Sequence, residues 1–256
     1  MGIAESLDVA PGFSRAYAFR GHADAAWRLT PTLHRAATNE GLRPLPEPAV
    51  LLTLEKDLVA KFRELAPTFM TPATLQSTKA TFDWWTVMRH YGVPTRLVDW
   101  TLSFFVAAYF AASSHPRNDG VIYAVHLHAL QQSMQEHHGD VASFRARDID
   151  TLCADSTATS VLHVVGRASA LLDRMIAQQG VFMTSLNVAS NIEECLADRI
   201  TENSDSGGMT LRKYRLPAVL KPLVMRRLRA MNISASTLFP GLDGIGAALD
   251  AVVRNP

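Results

Sequence analysis

The chain predicts an α+β fold on three observations: a short strand precedes a block of helices, further strands follow separated by helices, and the regular alternation of a doubly wound sheet is absent. Its 256 residues, 48% hydrophobic and 19% charged, suffice to bury a sizeable core. No repeat, low-complexity tract or evident linker divides them, so residues 1–256 read as one domain.

The elements follow in order. "AYAFRG" (16–21) is a short apolar run stopped by Gly21, a strand with Arg20 at its end. After the Pro-rich connector "LRPLPEP" (42–48), Leu51, Leu54, Leu58 and Phe62 stand at helical spacing, and Pro67 closes that amphipathic helix. "TKATFDWWTVMRHY" places Phe82, Trp85, Val87, Met88 and Tyr91 on a broad apolar face and ends at Gly92, a favoured helix C′ residue, with Pro94 beyond. From Thr101 to Ser114 the residues are nearly all apolar or small. The run is too long for one ordinary strand, which predicts a buried helix with Asp99 or Thr101 near its N-cap.

"RNDG" turns into the strand "VIYAVHL" (121–127), a helix is expected from about Gly166 to "DRMIAQQG", and "VFMTSL" (181–186) is another strand. "ENSDSGG" (202–208) has the composition of a mobile loop, and "MTLRKYRLP" (209–217) alternates up to Pro217. A helix from 218 carries Pro222 in its first turn, where proline is tolerated. A turn and a short final helix complete the chain.

Composition excludes several functions. A net charge of +1 advertises no global nucleic-acid field, so any such contact needs a local patch. Cys153 and Cys195 have no metal-ligand spacing, and no Gly-rich phosphate loop, HExxH or GxSxG is present, so no metal site is expected. The longest apolar run, 104–113, is far short of a bilayer span, and nothing resembles a signal peptide; a reduced cytoplasm is the expected compartment.

Three stretches could carry chemistry. "HYGVPTRLVDWT" (90–101) crowds His90, Arg96 and Asp99 beside Gly92 and Pro94, which fix a tight loop. Arg96 and Asp99 either brace that loop as an ion pair or present donors to a ligand. His90 is either a ligand-facing group or a histidine at a helix end favoured by the dipole. In "FRGHADAAWRLTPTLHR" (19–35), Arg20 can bind phosphate or carboxylate bidentately, and Gly21 lets a ligand approach the backbone. Arg28 and Arg35 are further cations there, with a plain surface role as the alternative. In "QQGVFMTSLN" (178–187), Thr184 and Ser185 are short hydroxyls that either face a cleft or mark strand faces.

"FRG" (19–21), "TPTLHR" (30–35), "HYGVPTRLVDWT", "FFVAAYFA" (104–111), "QQGVF" (178–182) and "LFPGLDG" (238–244), in this order, resemble the FRG domain family from about residue 17 to 249. His22 stands where family members often have glutamine. A more distant similarity, an aromatic-Arg-Gly strand end followed by a hydroxyl-bearing strand, is to ADP-ribosyltransferases. That similarity implies a small split mixed sheet surrounded by helices. It also implies NAD as substrate, Arg20 on its pyrophosphate or nicotinamide ribose, and Thr184 or Ser185 supporting the nicotinamide pocket; Gly21, His22 and Arg96, the last as a second cation or a scaffold for His90 and Asp99, are expected beside them. The catalytic glutamate of a third motif has no counterpart in "LRKYRLP", and Glu193, Glu194 and Glu202 fall on a helix or loop.

The resulting expectation is an NAD-cleaving ADP-ribosyltransferase-like enzyme with His90 and Asp99 as catalytic groups. It would modify a nucleic-acid or protein acceptor, as a toxin, paired with an antitoxin protein, or a phage-defence effector. The alternatives are a non-catalytic domain binding a phosphate-bearing ligand or nucleic acid, and a nuclease using His90 and Asp99 as acid and base.

Overall fold

The structure, a computed structural model, describes residues 17–127, 130, 162–165, 173–197 and 211–254. The predicted loop at 202–208 and the start of the helix expected from Gly166 lie outside them. The fold is α+β. The described strands are β1 (Tyr17–His22), β2 (Val98–Thr101), β3 (Gly120–His126), β4 (Leu162–Val165), β5 (Gly180–Ser185) and β6 (Leu211–Leu216). They form one sheet in the order β4-β5-β2-β1-β3-β6, and every described pair is antiparallel.

The expectation of a small split mixed sheet is therefore corrected to one antiparallel sheet, whose pairing is uneven. β1 and β3 pair along six residues and β2 and β5 along four, but β1 meets β2 only at Phe19 and Thr101. Beyond that pair the two strands part, and backbone groups that would have completed the ladder need other partners.

β1 and β3 occupy the middle of the sheet and are buried on both sides, which is why "VIYAVH" reads as a continuous apolar run. One face is sealed by α5 (Phe104–Ala112), where Phe19, Ile122 and Ala124 pack against Val106, Ala107 and Ala111, with α8 (Lys221–Ala230) and α9 (Ala235–Leu238) completing the layer. On the opposite face Ala18, Trp100, Tyr123 and Met183 pack with Leu29 and Ile192, the latter from α7 (Ile192–Ala197). At the β2–β5 end, α2 (Pro48–Leu65), α4 (Thr81–His90) and α6 (Asp173–Ala177) bury Val59, Phe82, Trp85, Met88 and Met175 over Leu97 and Phe182. Two short helices, α1 (Thr32–Ala37) and α3 (Pro72–Ser77), and the final α10 (Leu242–Arg254) complete the described elements.

α5 lies so close to the sheet because its inner face is alanine. A methyl group on Gly21 would overlap the Ala107 carbonyl and come within 2.8 Å of the Ala111 nitrogen. The missing side chain of Gly21 thus admits the backbone of α5. Gly21→Ala should destabilise the fold by about 1–3 kcal/mol through overpacking, read as a lower urea midpoint with unchanged slope.

Local signals explain the ends of α4. Asp83 accepts from the backbone N–H groups of Lys79 (3.1 Å) and Ala80 (3.0 Å) at its start, and Gly92 adopts φ 80° just past its end. Asp99 and Thr101, expected near a helix N-cap, lie instead on β2. The cap of α5 is Ser103, whose Oγ accepts from the Val106 N–H at 3.3 Å. The four-residue strand runs almost directly into the apolar helix, so the sequence shows a single apolar stretch.

Candidate functional site

The parting of β1 and β2 opens a cleft of about 420 Å³. Arg20 and Gly21 reach it from β1, Asp99, Trp100 and Thr101 from β2, Arg89 and His90 from the last turn of α4, Arg174 from α6, Gln178 from the turn before β5, and Phe182 from β5. Three guanidinium groups thus meet one carboxylate. Arg89 donates to Asp99 Oδ2 through Nε (3.0 Å) and Nη2 (2.5 Å). Arg20 Nη1 lies 4.0 Å from the same oxygen and donates to the Asp99 backbone carbonyl, where the β1–β2 ladder is missing.

The Asp99 side chain is 44% exposed, against 21% for each arginine, so the carboxylate sits at the solvent side of the cluster. Burial pushes the Asp99 carboxyl up, but the Arg89 and Arg20 charges outweigh it and hold the group below its ordinary value. Burial lowers Arg20 to about 10 against the pull of Asp99, and the side chain stays cationic at neutral pH. Arg174 carries no carboxylate partner among the described residues and lies 4.6 Å over the Phe239 ring.

His90 packs edge-on against Tyr91, at 4.9 Å between ring centroids. Burial and the Arg174 charge lower its pKa, opposing the helix dipole, so the imidazole is neutral at pH 7.

Of the residues singled out from sequence, Arg20, Gly21, His90 and Asp99 line the cleft. Arg96 does not. Only 2% exposed, it donates Nε to Glu55 of α2 at 2.8 and 3.0 Å and Nη1 to the Leu186 carbonyl at 2.9 Å, with Trp85 5.0 Å from its guanidinium carbon. Its carboxylate partner is Glu55, whereas Asp99, on β2, is held by Arg89; Arg96 lies in the bend that precedes that strand.

Thr184 and Ser185 are also displaced from the expected site. Thr184 is fully buried and donates to the Ser185 carbonyl at 3.2 Å, while Ser185 Oγ accepts from Cys195 Sγ at 3.4 Å on the other face. The hydroxyls that line the cleft belong to Thr86 and Thr101; Thr101 donates to the Gln178 carbonyl at 2.7 Å and accepts from the Ser103 N–H at 3.0 Å.

His22 stands behind Arg20 and does not line the cleft. It is 6% exposed; its Nε2 accepts from Arg20 Nε at 2.8 Å, and its Nδ1 lies 3.2 Å from the Trp27 carbonyl. Burial first, and then the Arg20 charge, depress it from 6.5 to about 4. A depressed folded pKa means that the unfolded chain takes up the proton first. The stability from neutral His22 is therefore complete above pH 6.5 and lost as pH falls through 4, about 3 kcal/mol in all. Urea unfolding at pH 7 and pH 4 should show this loss in the wild type and a smaller one in His22→Gln.

Sequence reasoning missed Arg89, Arg174, Thr101 and Gln178. Arg89 immediately precedes the 90–101 stretch and Gln178 opens "QQGVF", so both adjoin recognised motifs. Arg174 carried no signal. Among the described residues, no group of three His, Cys, Asp or Glu side chains could hold a metal ion, and no helix is long and apolar enough to cross a membrane.

The family model of the FRG domain matches residues 15–120. The match supports the FRG resemblance and takes in Arg20, Arg89, His90 and Asp99, whereas Arg174 and Gln178 lie outside it. No curated protein and no solved structure matches the chain.

Proposed function

We propose, with the FRG-domain match over residues 15–120 as premise, that the cleft binds NAD and that the chain is an ADP-ribosyltransferase-like enzyme. One observation carries the reading: Arg20, Arg89 and Arg174 line a single cleft with Asp99 where β1 and β2 part. Two guanidinium groups in excess of the carboxylate suit a pyrophosphate, and the cleft volume lies within the range of ligand pockets.

In this reading the bond between ribose C1′ and the nicotinamide nitrogen breaks with its electron pair leaving on nicotinamide. Positive charge develops on the ribose. Asp99, ionised under the field of its arginines, stabilises that charge. The acceptor nucleophile forms the new bond at C1′, and its proton passes to His90, which is neutral and has no hydrogen-bond partner among the described residues. The acceptor is a nucleic acid or a protein, and the setting that the resemblance suggests is a toxin with an antitoxin partner or a phage-defence effector.

Asp99→Asn separates binding from chemistry. Removing the Asp99 charge should leave NAD affinity equal or higher, because Arg89 is freed for phosphate, while nicotinamide release falls about a hundredfold or more. Release at the wild-type rate would remove Asp99 from the chemistry. A second reading, a non-catalytic domain for a phosphate-bearing ligand, is favoured by the lack of any glutamate lining the cleft among the described residues. It predicts altered affinity in Asp99→Asn and no nicotinamide release from either protein.

A further inference from the structure

We propose that His22 is a positioning residue that aims the Arg20 guanidinium into the cleft, and that it acts only as a neutral imidazole with its proton on Nδ1. The proposal rests on the reading of the cleft as an anion site. Arginine Nε always carries a hydrogen, so the 2.8 Å contact between Arg20 Nε and His22 Nε2 requires a lone pair on the histidine nitrogen. The remaining proton is then on Nδ1, which donates to the Trp27 carbonyl at 3.2 Å. Both ring nitrogens are used inside the protein, which leaves His22 no donor or acceptor for a ligand.

The carbonyl that fixes this tautomer is itself fixed. Trp27 O also accepts from Tyr123 Oη at 3.3 Å. The loop that carries it is tied down by the Ala25 N–H on the Asp119 carbonyl (2.7 Å), the Ala26 N–H on Asp24 Oδ1 (2.9 Å) and the buried Lys221 Nζ on the Ala23 carbonyl (2.6 Å). The imidazole is held edge-on against Tyr123, 5.4 Å between centroids, and against Trp27 at 6.2 Å.

Arg20 is therefore gripped at two points, Nε by His22 and Nη1 by the Asp99 carbonyl. Two of the five N–H donors of the guanidinium are engaged, leaving three for a ligand. An arginine so preorganised loses little side-chain freedom on binding an anion.

Protonating His22 would set an N–H against an N–H and add a second positive charge beside Arg20. The charged and titratable groups around the ring are Arg20 on β1, Tyr123 on β3, Arg35 on α1 and Glu193 on α7. Arg20 and Arg35 oppose protonation and Glu193 favours it, although Glu193 is already engaged by Arg28 at 3.1 Å and Lys213 at 3.2 Å. Burial and the nearer arginine prevail, so the switch lies on the acid side of the ordinary histidine range.

His22→Gln and His22→Phe test the proposal. A glutamine amide oxygen can accept from Arg20 Nε, whereas a phenyl ring fills the space and cannot. Titration with NAD at pH 7.5 should show His22→Phe about tenfold weaker than the wild type and His22→Gln within about twofold of it. Lowering the pH toward 4 should weaken the wild type more than His22→Gln. Independently of any ligand, the Arg20 Nε–H resonance, assigned by its loss in Arg20→Ala, should be protected from solvent exchange in the wild type and His22→Gln and unprotected in His22→Phe.

Wild-type NAD affinity or an unchanged Arg20 resonance in folded His22→Phe would overturn the proposal. If the wild type itself fails to bind NAD, the NAD reading falls alone and the resonance decides the role of His22. Should His22→Phe not fold, equal pH dependence of the Arg20 resonance in the wild type and His22→Gln would count against the neutral-imidazole requirement.

Discussion

Glu55→Ala should cost the fold roughly 3–5 kcal/mol and lower the melting temperature by roughly 6–20 °C, read by scanning calorimetry. The substitution takes away a carboxylate whose two oxygens both accept from Arg96, at a site where both residues are only 2% exposed. The bond to the Leu186 carbonyl satisfies one donor but supplies no opposing charge. Asp99→Ala should change stability by no more than about 1 kcal/mol, since that carboxylate is 44% exposed. The reverse ranking would mean that Asp99 braces the 90–101 loop and Glu55 is dispensable.

Arg20→Ala should weaken NAD binding by about a hundredfold with the fold intact. The loss follows from removing a charged group with three unengaged donors from the floor of the cleft. The fold should survive because Asp99 keeps its two bonds from Arg89. Arg20→Lys retains the charge but loses the planar fork and the Nε contact with His22, so it should recover only part of the affinity. Calorimetric titration beside a melting curve for each variant measures both effects. Equal affinity in the wild type and Arg20→Ala would remove Arg20 from the site.

The sequence carries the fold where periodicity and punctuation agree. The strands ending at "FRG" and running through "VIYAVH" and "VFMTS" alternate or run apolar between turn residues, and α4 ends at Gly92 as its C′ chemistry requires. β2 is hidden because its four residues adjoin an apolar helix.

The candidate site is legible as far as its local motifs reach. Arg20, His90 and Asp99 meet in one cleft although seventy or more positions separate the first from the others, because β1 and β2 are neighbours in the sheet. Partner identity is not local. Arg96 chooses Glu55, 41 positions earlier, over Asp99, three positions away, and no pattern within the 90–101 stretch encodes that choice. Thr184 and Ser185 have suitable side chains, yet their strand buries both under neighbouring elements, a consequence of tertiary packing that hydroxyl chemistry does not reveal.

The central claim is that this cleft takes NAD and cleaves it, and the most direct measurement is the wild-type protein incubated with NAD carrying a labelled nicotinamide. Calorimetry reports binding, and release of the label is followed with RNA, DNA and protein acceptors offered in turn. The account predicts saturable binding at one site per chain and label release that depends on Asp99. Neither binding nor release with any acceptor would contradict it, and binding without release would leave the cleft as the phosphate-ligand site of a non-catalytic domain.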